Sequence, residues 1–280
     1  MLNKKSLGQH FLRSKNIISD IVNAGKVKSG DVVLEIGPGE GTLTVALLQT
    51  GAHVIAVEKD DRLIPVLQEK FSKEIKSRSL TLIHDDVLKF NTSTHNLETR
   101  TYKIIANIPY YITGQIIRMF LESENQPESM TLLVQKEVAE RIVAKPSFSN
   151  SVARSAKGGF RVKGGKESLL SLSVKAYGHP KYIRTVGRGA FSPQPNVDSA
   201  VLCIENISRS NFKKISEEKF FEILHAGFAH KRKQLLPNLS TSQVDKSLLV
   251  EAFRKCEIDL KARAEDVPLK TWLKLCSIMS

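Results

Sequence analysis

The chain has 280 residues, of which 41% are hydrophobic and 25% charged, and its 42 Lys and Arg against 29 Asp and Glu give a net charge of +13. This composition is typical of a soluble globular protein, and no apolar run approaches the ~18 to 20 residues that a membrane-spanning helix needs. The positive charge predicts an anionic partner. Nucleic acid is favoured over a membrane surface because no basic helix has a strongly apolar opposite face, although a merely basic surface stays open.

The N-terminal residues and the cysteines predict the compartment. Residues 1–16 carry charges but lack the apolar core and cleavage site of a secretion signal, which favours a cytoplasmic protein. Cys203, Cys256 and Cys276 are too few and too scattered for a disulfide framework, and no histidine pair has the spacing of metal ligands. We therefore expect reduced thiols and no structural metal.

From Val32 to about Val134, apolar stretches of strand length alternate with stretches of helical period. In order they read VVLEI, TLTVALLQ, HVIAVE, RLIPVLQEKF, LTLIH, KIIA, QIIRMFL and MTLLV. Strands alternating with crossover helices predict a doubly wound α/β domain with a mostly parallel sheet. Ligands of such sheets bind beyond the carboxyl ends of the strands.

The sequence after Val134 predicts antiparallel strands followed by a helical region. SLSVKA, YIRTV and SAVLCIE read as antiparallel strands that finish the sheet, with a proline-stiffened loop at 191–197 before the last of them. After Ile207 only helical periodicity remains, so we expect a catalytic domain at 1–207 and a small helical domain at 208–280. The basic, Gly- and Ser-rich segment 147–167 reads as a mobile surface loop or a loosely held hairpin.

A glycine-rich turn, EIGPGEG, follows the first strand. Gly37, Gly39 and Gly41 permit positive φ and close approach of the backbone to a ligand. A dinucleotide fingerprint would place its third glycine at 42, where Thr42 stands, so the spacing disfavours NAD and suits a nucleoside cofactor without a pyrophosphate. A tight turn without any ligand is the alternative.

Carboxylates follow the next two strands. Glu58 ends HVIAVE, about twenty residues beyond the glycine turn, where a carboxylate can accept hydrogen bonds from both hydroxyls of a ribose. Asp85 and Asp86 follow LTLIH, and one of them can accept a hydrogen bond from the amine of an adenine, or simply cap a turn. The residues themselves do not choose between these two aspartates.

The tetrapeptide NIPY follows the fourth strand, and its residues are suited to bind and orient an amine on an aromatic ring. The Asn107 side-chain oxygen and the Ile108 carbonyl can both accept hydrogen bonds from an NH₂ group, which orients its lone pair toward a methyl donor. Pro109 holds that carbonyl, and Tyr110 can stack on the base. A strand-ending turn with a core tyrosine is the alternative.

Seven motifs, taken in order, resemble the ribosomal RNA adenine N6,N6-dimethyltransferase family of class I S-adenosylmethionine-dependent methyltransferases. They are GQHFL, EIGPGEGTLT, VEKD, DDVL, NIPYYI, QKEVAERI and FSPQPNVDSAV, which begin at residue 8 and end at residue 201. The resemblance implies a seven-stranded, mostly parallel sheet, S-adenosyl-L-methionine as cofactor, and direct methyl transfer to adenine N6.

The resemblance also implies the roles of individual residues. Tyr110 and Phe191 would sandwich the target adenine. The cofactor would be lined by His10, Leu12, Gly37, Gly39, Gly41, Glu58, Asp86 and Asn107. The family usually has Asn where His10 stands, and it has a short turn where this chain carries the insertion at 147–167, which suggests an extra RNA contact.

The C-terminal motifs FAHKRKQLLPNL and RAEDVPLKTWLKL resemble the housekeeping branch of the family. That branch dimethylates two adjacent adenosines near the 3′ end of small-subunit rRNA, which implies the small ribosomal subunit as partner, with neither DNA nor a membrane. We expect a monomer that docks on this particle, although no sequence feature indicates the oligomeric state. Lys231, Arg232 and Lys233 are the predicted phosphate contacts on a basic helix. Two alternatives stay open: a large-subunit methyltransferase of the antibiotic-resistance branch, and an assembly factor that acts mainly by binding.

Overall fold

The computed structural model describes residues 10–90, 97, 101–145, 165–230, 232–240 and 246–279. These residues form two compact units. The first takes its residues from 1–139 and 178–207, and the second from 140–177 and 208–280. The boundary at residue 207 is therefore the one predicted between the catalytic and helical domains. The second unit differs from the predicted helical domain in that it also includes 140–177. The basic insertion lies outside the described residues except for 165–167.

The first unit is built on a seven-stranded sheet. The strands are β2 (Val32–Ile36), β3 (His53–Glu58), β4 (Leu80–His84), β5 (Tyr102–Asn107), β6 (Ser129–Gln135), β7 (His179–Val186) and β9 (Ser199–Glu205). In the spatial order β4-β3-β2-β5-β6-β9-β7, the first five strands pair in parallel, and β9 pairs antiparallel with both β6 and β7, so β9 alone runs against the other six. The predicted α/β fold is confirmed.

The sheet reverses its winding at β2, which pairs with β3 on one side and with β5 on the other. Such a reversal opens a crevice at the carboxyl end of the central strand, because the connections leave it in opposite directions. All five residues of β2 are buried, as expected of a central parallel strand covered on both faces.

The helices of the first unit pack against this sheet or follow its strands. They are α1 (Lys15–Ala24), α2 (Thr42–Gln49), α3 (Ile64–Lys70), α4 (Ser72–Lys76) and α5 (Thr113–Glu122), and α6 (Lys136–Val143) follows β6. Two short strands, β1 (Phe11–Leu12) and β8 (Phe191–Ser192), pair antiparallel outside the main sheet. Neither β1 nor α1 was predicted from the sequence.

One predicted strand is wrong. SLSVKA lies in a helix, α7 (Leu169–Tyr177), which belongs to the second unit. The Leu172 N–H donates a hydrogen bond of 3.0 Å to the Ser168 carbonyl, which is the i to i−4 bond of a helix, and Leu172 and Ala176 are both fully buried in the core of that unit. Ser168 stabilises the start of the helix, because its hydroxyl accepts a hydrogen bond of 3.1 Å from the Ser171 N–H.

The remaining helices of the second unit are α8 (Glu217–Phe228), α9 (Leu235–Leu239), α10 (Lys246–Lys255) and α11 (Leu269–Met279). Their core surrounds Trp272, which is fully buried. Gly227 is required opposite this indole, since a Cβ there would lie 2.4 Å from the Trp272 ring. None of the described helices is long and apolar enough to cross a bilayer.

Candidate active site

A cleft opens at the carboxyl ends of β2, β3, β4 and β5, where the sheet reverses its winding. It lies entirely within the first unit. Of the residues predicted for the site, the cleft is lined by His10, Leu12, Gly37, Gly39, Glu58, Asp86, Asn107, Ile108, Pro109 and Tyr110. Parallel strands bring these side chains together because their carboxyl ends share one edge of the sheet.

The glycine turn leaves β2 and enters α2 through three residues with positive φ. Gly37, Gly39 and Gly41 have φ of 66°, 60° and 74°, a region that favours glycine. A Cβ on Gly37 would meet nothing within 4 Å, whereas one on Gly39 would contact the Phe11 ring at 2.9 Å and one on Gly41 the Phe71 ring at 2.5 Å. Gly37 therefore borders open space, and Gly41, which does not line the cleft, serves packing.

Glu58 ends β3 as a buried carboxylate that is only 6% exposed. One of its oxygens accepts a hydrogen bond of 3.1 Å from the Gly39 N–H, and the other accepts one of 2.8 Å from the Asp60 N–H. Burial raises the pKa of Glu58, and these backbone hydrogen bonds partly oppose that rise. Each oxygen can accept a further hydrogen bond, so the carboxylate is oriented and still able to bind hydroxyl groups.

The two aspartates after β4 both line the cleft but have different partners. Asp86 pairs with Lys59 at 2.6 Å, and its other oxygen accepts a hydrogen bond of 3.1 Å from the Leu88 N–H. The hydrogen bond from Lys59 holds the pKa of Asp86 below its usual value. Asp85 accepts a hydrogen bond of 2.7 Å from the Asp86 N–H. Asp86 is therefore ionised, and it caps the short turn that begins at Val87.

Asn107 ends β5 with its side-chain amide in a defined orientation. Nδ2 donates a hydrogen bond of 2.9 Å to the backbone carbonyl of His10. A carbonyl can only accept, so the nitrogen must face His10 and Oδ1 must face the other way. Among the described residues nothing donates to Oδ1, and nothing donates to the Ile108 carbonyl. The tetrapeptide thus presents two acceptors in the wall of the cleft.

Tyr110 follows Pro109 at the start of a short 3₁₀ turn. Its hydroxyl shares a hydrogen bond of 2.6 Å with the hydroxyl of Ser199, which is fully buried in β9. Burial raises the pKa of Tyr110, and the hydrogen bond with Ser199 partly opposes that rise. The Tyr110 ring stacks on the imidazole of His10, with ring centroids 5.8 Å apart and an interplanar angle of 26°.

The segment around β1 is attached to the loop that begins at β8. Phe11 pairs with Ser192 and Leu12 with Phe191 in the two-stranded ladder. His10 Nδ1 lies 2.9 Å from the Pro193 carbonyl, which can only accept, so Nδ1 carries the proton and donates. This attachment holds His10 and Leu12 against the cleft.

Besides Gly41, two further predicted groups are placed differently from what the resemblance implies. Phe191 does not line the cleft: it is 4% exposed, packs in the hydrophobic core and pairs with Leu12. The predicted basic helix is interrupted, since α8 ends at Phe228 and α9 begins at Leu235. Asn238 Nδ2 donates to the Gly227 and His230 carbonyls at that end. Arg232 and Lys233 are exposed in the intervening turn, in the second unit, and Lys231 lies outside the described residues.

Sequence reasoning missed Glu35, which lines the cleft from the centre of the sheet. Glu35 is 1% exposed, and neither its carboxyl oxygens nor the Thr44 hydroxyl makes a hydrogen bond of normal geometry within the described structure. Burial raises the pKa of Glu35 to about 8, although the nearby Thr44 hydroxyl lowers it somewhat. An acid inside the apolar run VVLEI was the signal that could have revealed it.

Ser199 and Lys59 were also missed, for a different reason. Each contacts a predicted residue, Tyr110 or Asp86, that is distant in sequence. Nothing local marks either as part of the site. In the part of the chain that the structure describes, no cluster of three or more His, Cys, Asp or Glu side chains could hold a metal ion.

The seven-stranded sheet, with a glycine turn after its central strand and an acid at the end of the next, defines a Rossmann-like S-adenosylmethionine-dependent methyltransferase. The structure is similar to a dimethyladenosine transferase from Plasmodium falciparum, with a TM-score of 0.75 and 25% identity over 95% of this chain and 96% of that one. The fold is also shared with the 23S rRNA methyltransferase ErmE, at a TM-score of 0.70 and 22% identity over 96% and 98% of the two chains.

The family model for ribosomal RNA adenine dimethylase matches residues 1–280, so the chain belongs to that family. Among curated relatives, a ribosomal RNA small subunit methyltransferase A from Dehalococcoides mccartyi is 40% identical over 98% of this chain and 87% of its own length. One of the same name from Clostridium botulinum is 35% identical over 97% and 92%. The family resemblance inferred from the motifs is confirmed, and S-adenosylmethionine is the cofactor.

Proposed function

We propose that this protein transfers methyl groups from S-adenosylmethionine to N6 of two adjacent adenosines in the 3′-terminal hairpin of small-subunit rRNA. The product is N6,N6-dimethyladenosine, formed during ribosome biogenesis. Relatives named ribosomal RNA small subunit methyltransferase A align with nearly the whole chain at 35% to 40% identity. That agreement in both sequence and length supports the small subunit as the partner.

The orientation of Asn107 carries the proposal. Because Nδ2 is committed to the His10 carbonyl, Oδ1 must act as an acceptor. An adenine N6 has two N–H donors and a delocalised lone pair, so it is a poor nucleophile until it is oriented. Acceptance of its two N–H groups by Asn107 Oδ1 and the Ile108 carbonyl would favour a pyramidal nitrogen with its lone pair directed outward. Pro109 restricts the backbone that carries this carbonyl.

The residues of the cleft fit the cofactor. Glu58 can accept hydrogen bonds from two ribose hydroxyls, and Asp86 can accept one from an adenine amine. Gly37 borders open space that a side chain would otherwise occupy. S-adenosylmethionine, when bound, supplies an electrophilic methyl group on a sulfonium. Leu12 provides an apolar wall, and the backbone of His10 orients Asn107.

Tyr110 is the proposed stacking platform for the target adenine, a contact worth about 1 to 3 kcal/mol for a base on an aromatic ring. Its hydroxyl is engaged by Ser199, which leaves the ring to make the contact. Phe191, the second residue predicted to stack on the adenine, is buried and pairs with Leu12, so the stacking contact is proposed for Tyr110 alone. The N6 lone pair would form the N6–methyl bond as the bond between that methyl and the sulfonium breaks, which leaves the neutral thioether S-adenosylhomocysteine. The N6 proton would then be lost to solvent, so no strong catalytic base is required.

The charge of +13 supports a polyanionic substrate. Lys231, Arg232 and Lys233 are the proposed phosphate contacts of the second unit. We further propose that the protein acts as a monomer in the cytoplasm, where ribosomal subunits assemble, on RNA rather than DNA.

The test is incubation of the protein and radiolabelled S-adenosylmethionine with unmethylated small subunits, large subunits and free rRNA, followed by primer extension. Asn107→Ala should slow transfer at least about 100-fold, and Asn23→Ala, which removes an exposed amide on α1, serves as the matched control. Dimethyladenosine near the small-subunit 3′ end supports the proposal. Label on the large subunit would overturn it in favour of the resistance branch, and cofactor binding without transfer would favour an assembly factor.

A further inference from the structure

The Tyr110 ring needs more than its hydroxyl to be oriented. The hydrogen bond to Ser199 is made at Oη, which lies on the axis through Cγ and Cζ. Rotation about χ2 turns the ring around that axis and leaves Oη in place, and this torsion is broad for tyrosine. Ser199 therefore determines where the ring lies but not the plane in which it lies. A stacking platform requires a defined plane.

The imidazole of His10 supplies the contact with the face of this ring, at a centroid distance of 5.8 Å and an angle of 26°. The imidazole is itself held, because Nδ1 donates to the Pro193 carbonyl at 2.9 Å. Its backbone is held as well, through the 2.9 Å hydrogen bond from Asn107 and through the strand pairing that begins at Phe11. A face contact between restrained rings opposes rotation in a way that an axial hydrogen bond does not.

We propose that His10 is a positioning residue for the target base and acts by setting the plane of the Tyr110 ring. This role belongs to its side chain and is separate from the contact to the cofactor that the family resemblance implies. The inference rests on the proposed function, because it takes Tyr110 to be the platform for the adenine.

Different substitutions of His10 distinguish its two possible roles, an aromatic contact with the Tyr110 ring and a polar contact with the cofactor. His10→Phe keeps an aromatic face and loses the hydrogen bond to Pro193, whereas His10→Asn keeps a polar group and loses the face. His10→Ala loses both. If the ring plane matters, Phe should substitute for His and Asn should not. If a polar contact to the cofactor matters, the order should be reversed.

Steady-state methylation of unmethylated small subunits by the full chain gives the first readout, with cofactor affinity measured by calorimetry. His10→Ala and His10→Asn should raise KM for subunits roughly three- to tenfold with the cofactor Kd within twofold of wild type, and His10→Phe, which keeps the aromatic face but not the hydrogen bond to Pro193, should recover most of this loss. His53→Ala, an exposed histidine at the start of β3, is the matched control. A weakened cofactor Kd with unchanged KM, or rescue by Asn alone, would overturn the proposal.

A second readout does not depend on RNA. In ¹⁹F NMR of protein labelled with 3-fluorotyrosine, the Tyr110 signal is identified by its absence in Tyr110→Phe. Restrained rotation should give wild type and His10→Phe separate signals for the two ring orientations, and His10→Ala should give one averaged signal. Identical Tyr110 signals in wild type and His10→Ala would refute the inference even if the subunits proved not to be the substrate. Absence of methylation by wild type would instead count against the proposed function alone.

Discussion

The side-chain nitrogen of Asn107 donates a hydrogen bond of 2.9 Å to the backbone carbonyl of His10, 97 residues earlier in the chain. This contact determines which end of the amide faces the cleft. It also connects the segment before α1 to the end of β5, so that one of the acceptors proposed for the substrate amine depends on a residue outside the main sheet.

Replacement of Asn107 should therefore affect turnover more than binding. Asn107→Ala removes the acceptor, and Asn107→Asp keeps an acceptor but places a carboxylate oxygen against the His10 carbonyl, so the side chain must turn away. We expect both variants to lose at least about 100-fold in kcat, the magnitude of a misplaced reacting group. Single-turnover methylation of small subunits measures this, and unchanged kcat in Asn107→Asp would contradict the orientation argument.

Glu58 should determine the affinity for the cofactor. Glu58→Gln keeps the shape of the side chain but replaces one oxygen with an NH₂ group, which cannot accept from the Gly39 or Asp60 N–H. Charge-assisted hydrogen bonds contribute about 1.5 to 3 kcal/mol, so the cofactor Kd should rise roughly 10- to 100-fold. Calorimetry measures the change, with the exposed Glu69→Gln on α3 as the control. Equal affinity of Glu58→Gln and wild type would exclude a direct contact.

The hydrogen bond between Tyr110 and Ser199 should appear as a coupling in stability. Ser199→Ala leaves the Tyr110 hydroxyl without this partner, and Ser199 is fully buried, so we expect a loss of about 1 to 3 kcal/mol in the free energy of unfolding. Tyr110→Phe combined with Ser199→Ala should cost less than the sum of the single changes. Urea unfolding of the four proteins gives the cycle, and simple additivity would contradict the contact.

Glu35 should make the stability of the protein depend on pH. Its pKa is raised from 4.5 to about 8 by burial, so the folded protein binds a proton that the unfolded chain releases. The stability that this protonation provides is present below about pH 4.5 and is lost as pH rises to about 8, by up to about 4 kcal/mol. Glu35→Gln should remove this part of the pH dependence. Urea unfolding between pH 5 and pH 8 tests it, and parallel curves for Gln and wild type would show that Glu35 is ionised in the fold.

The sequence predicted the sheet well, because its strands are continuous apolar runs separated by helical periodicity. It failed at SLSVKA, where a short apolar run fits a strand or a helix equally, and only the tertiary structure shows the helix, which packs Leu172 and Ala176 in the core of the second unit. It also extended the helix of α8 through the basic residues, although the Asn238 side chain satisfies carbonyls at the end of that helix.

Within the site, the sequence by itself determined the acids and amides that end the parallel strands. Chain order and strand polarity alone bring Glu58, Asp86 and Asn107 to one edge of the sheet. It could not determine which residues hold these groups in place. The Ser199 hydroxyl, the Lys59 ammonium and the His10 ring reach their partners across long sequence separations. Only tertiary structure decides such contacts, because they depend on the register of strands and the path of loops rather than on local pattern.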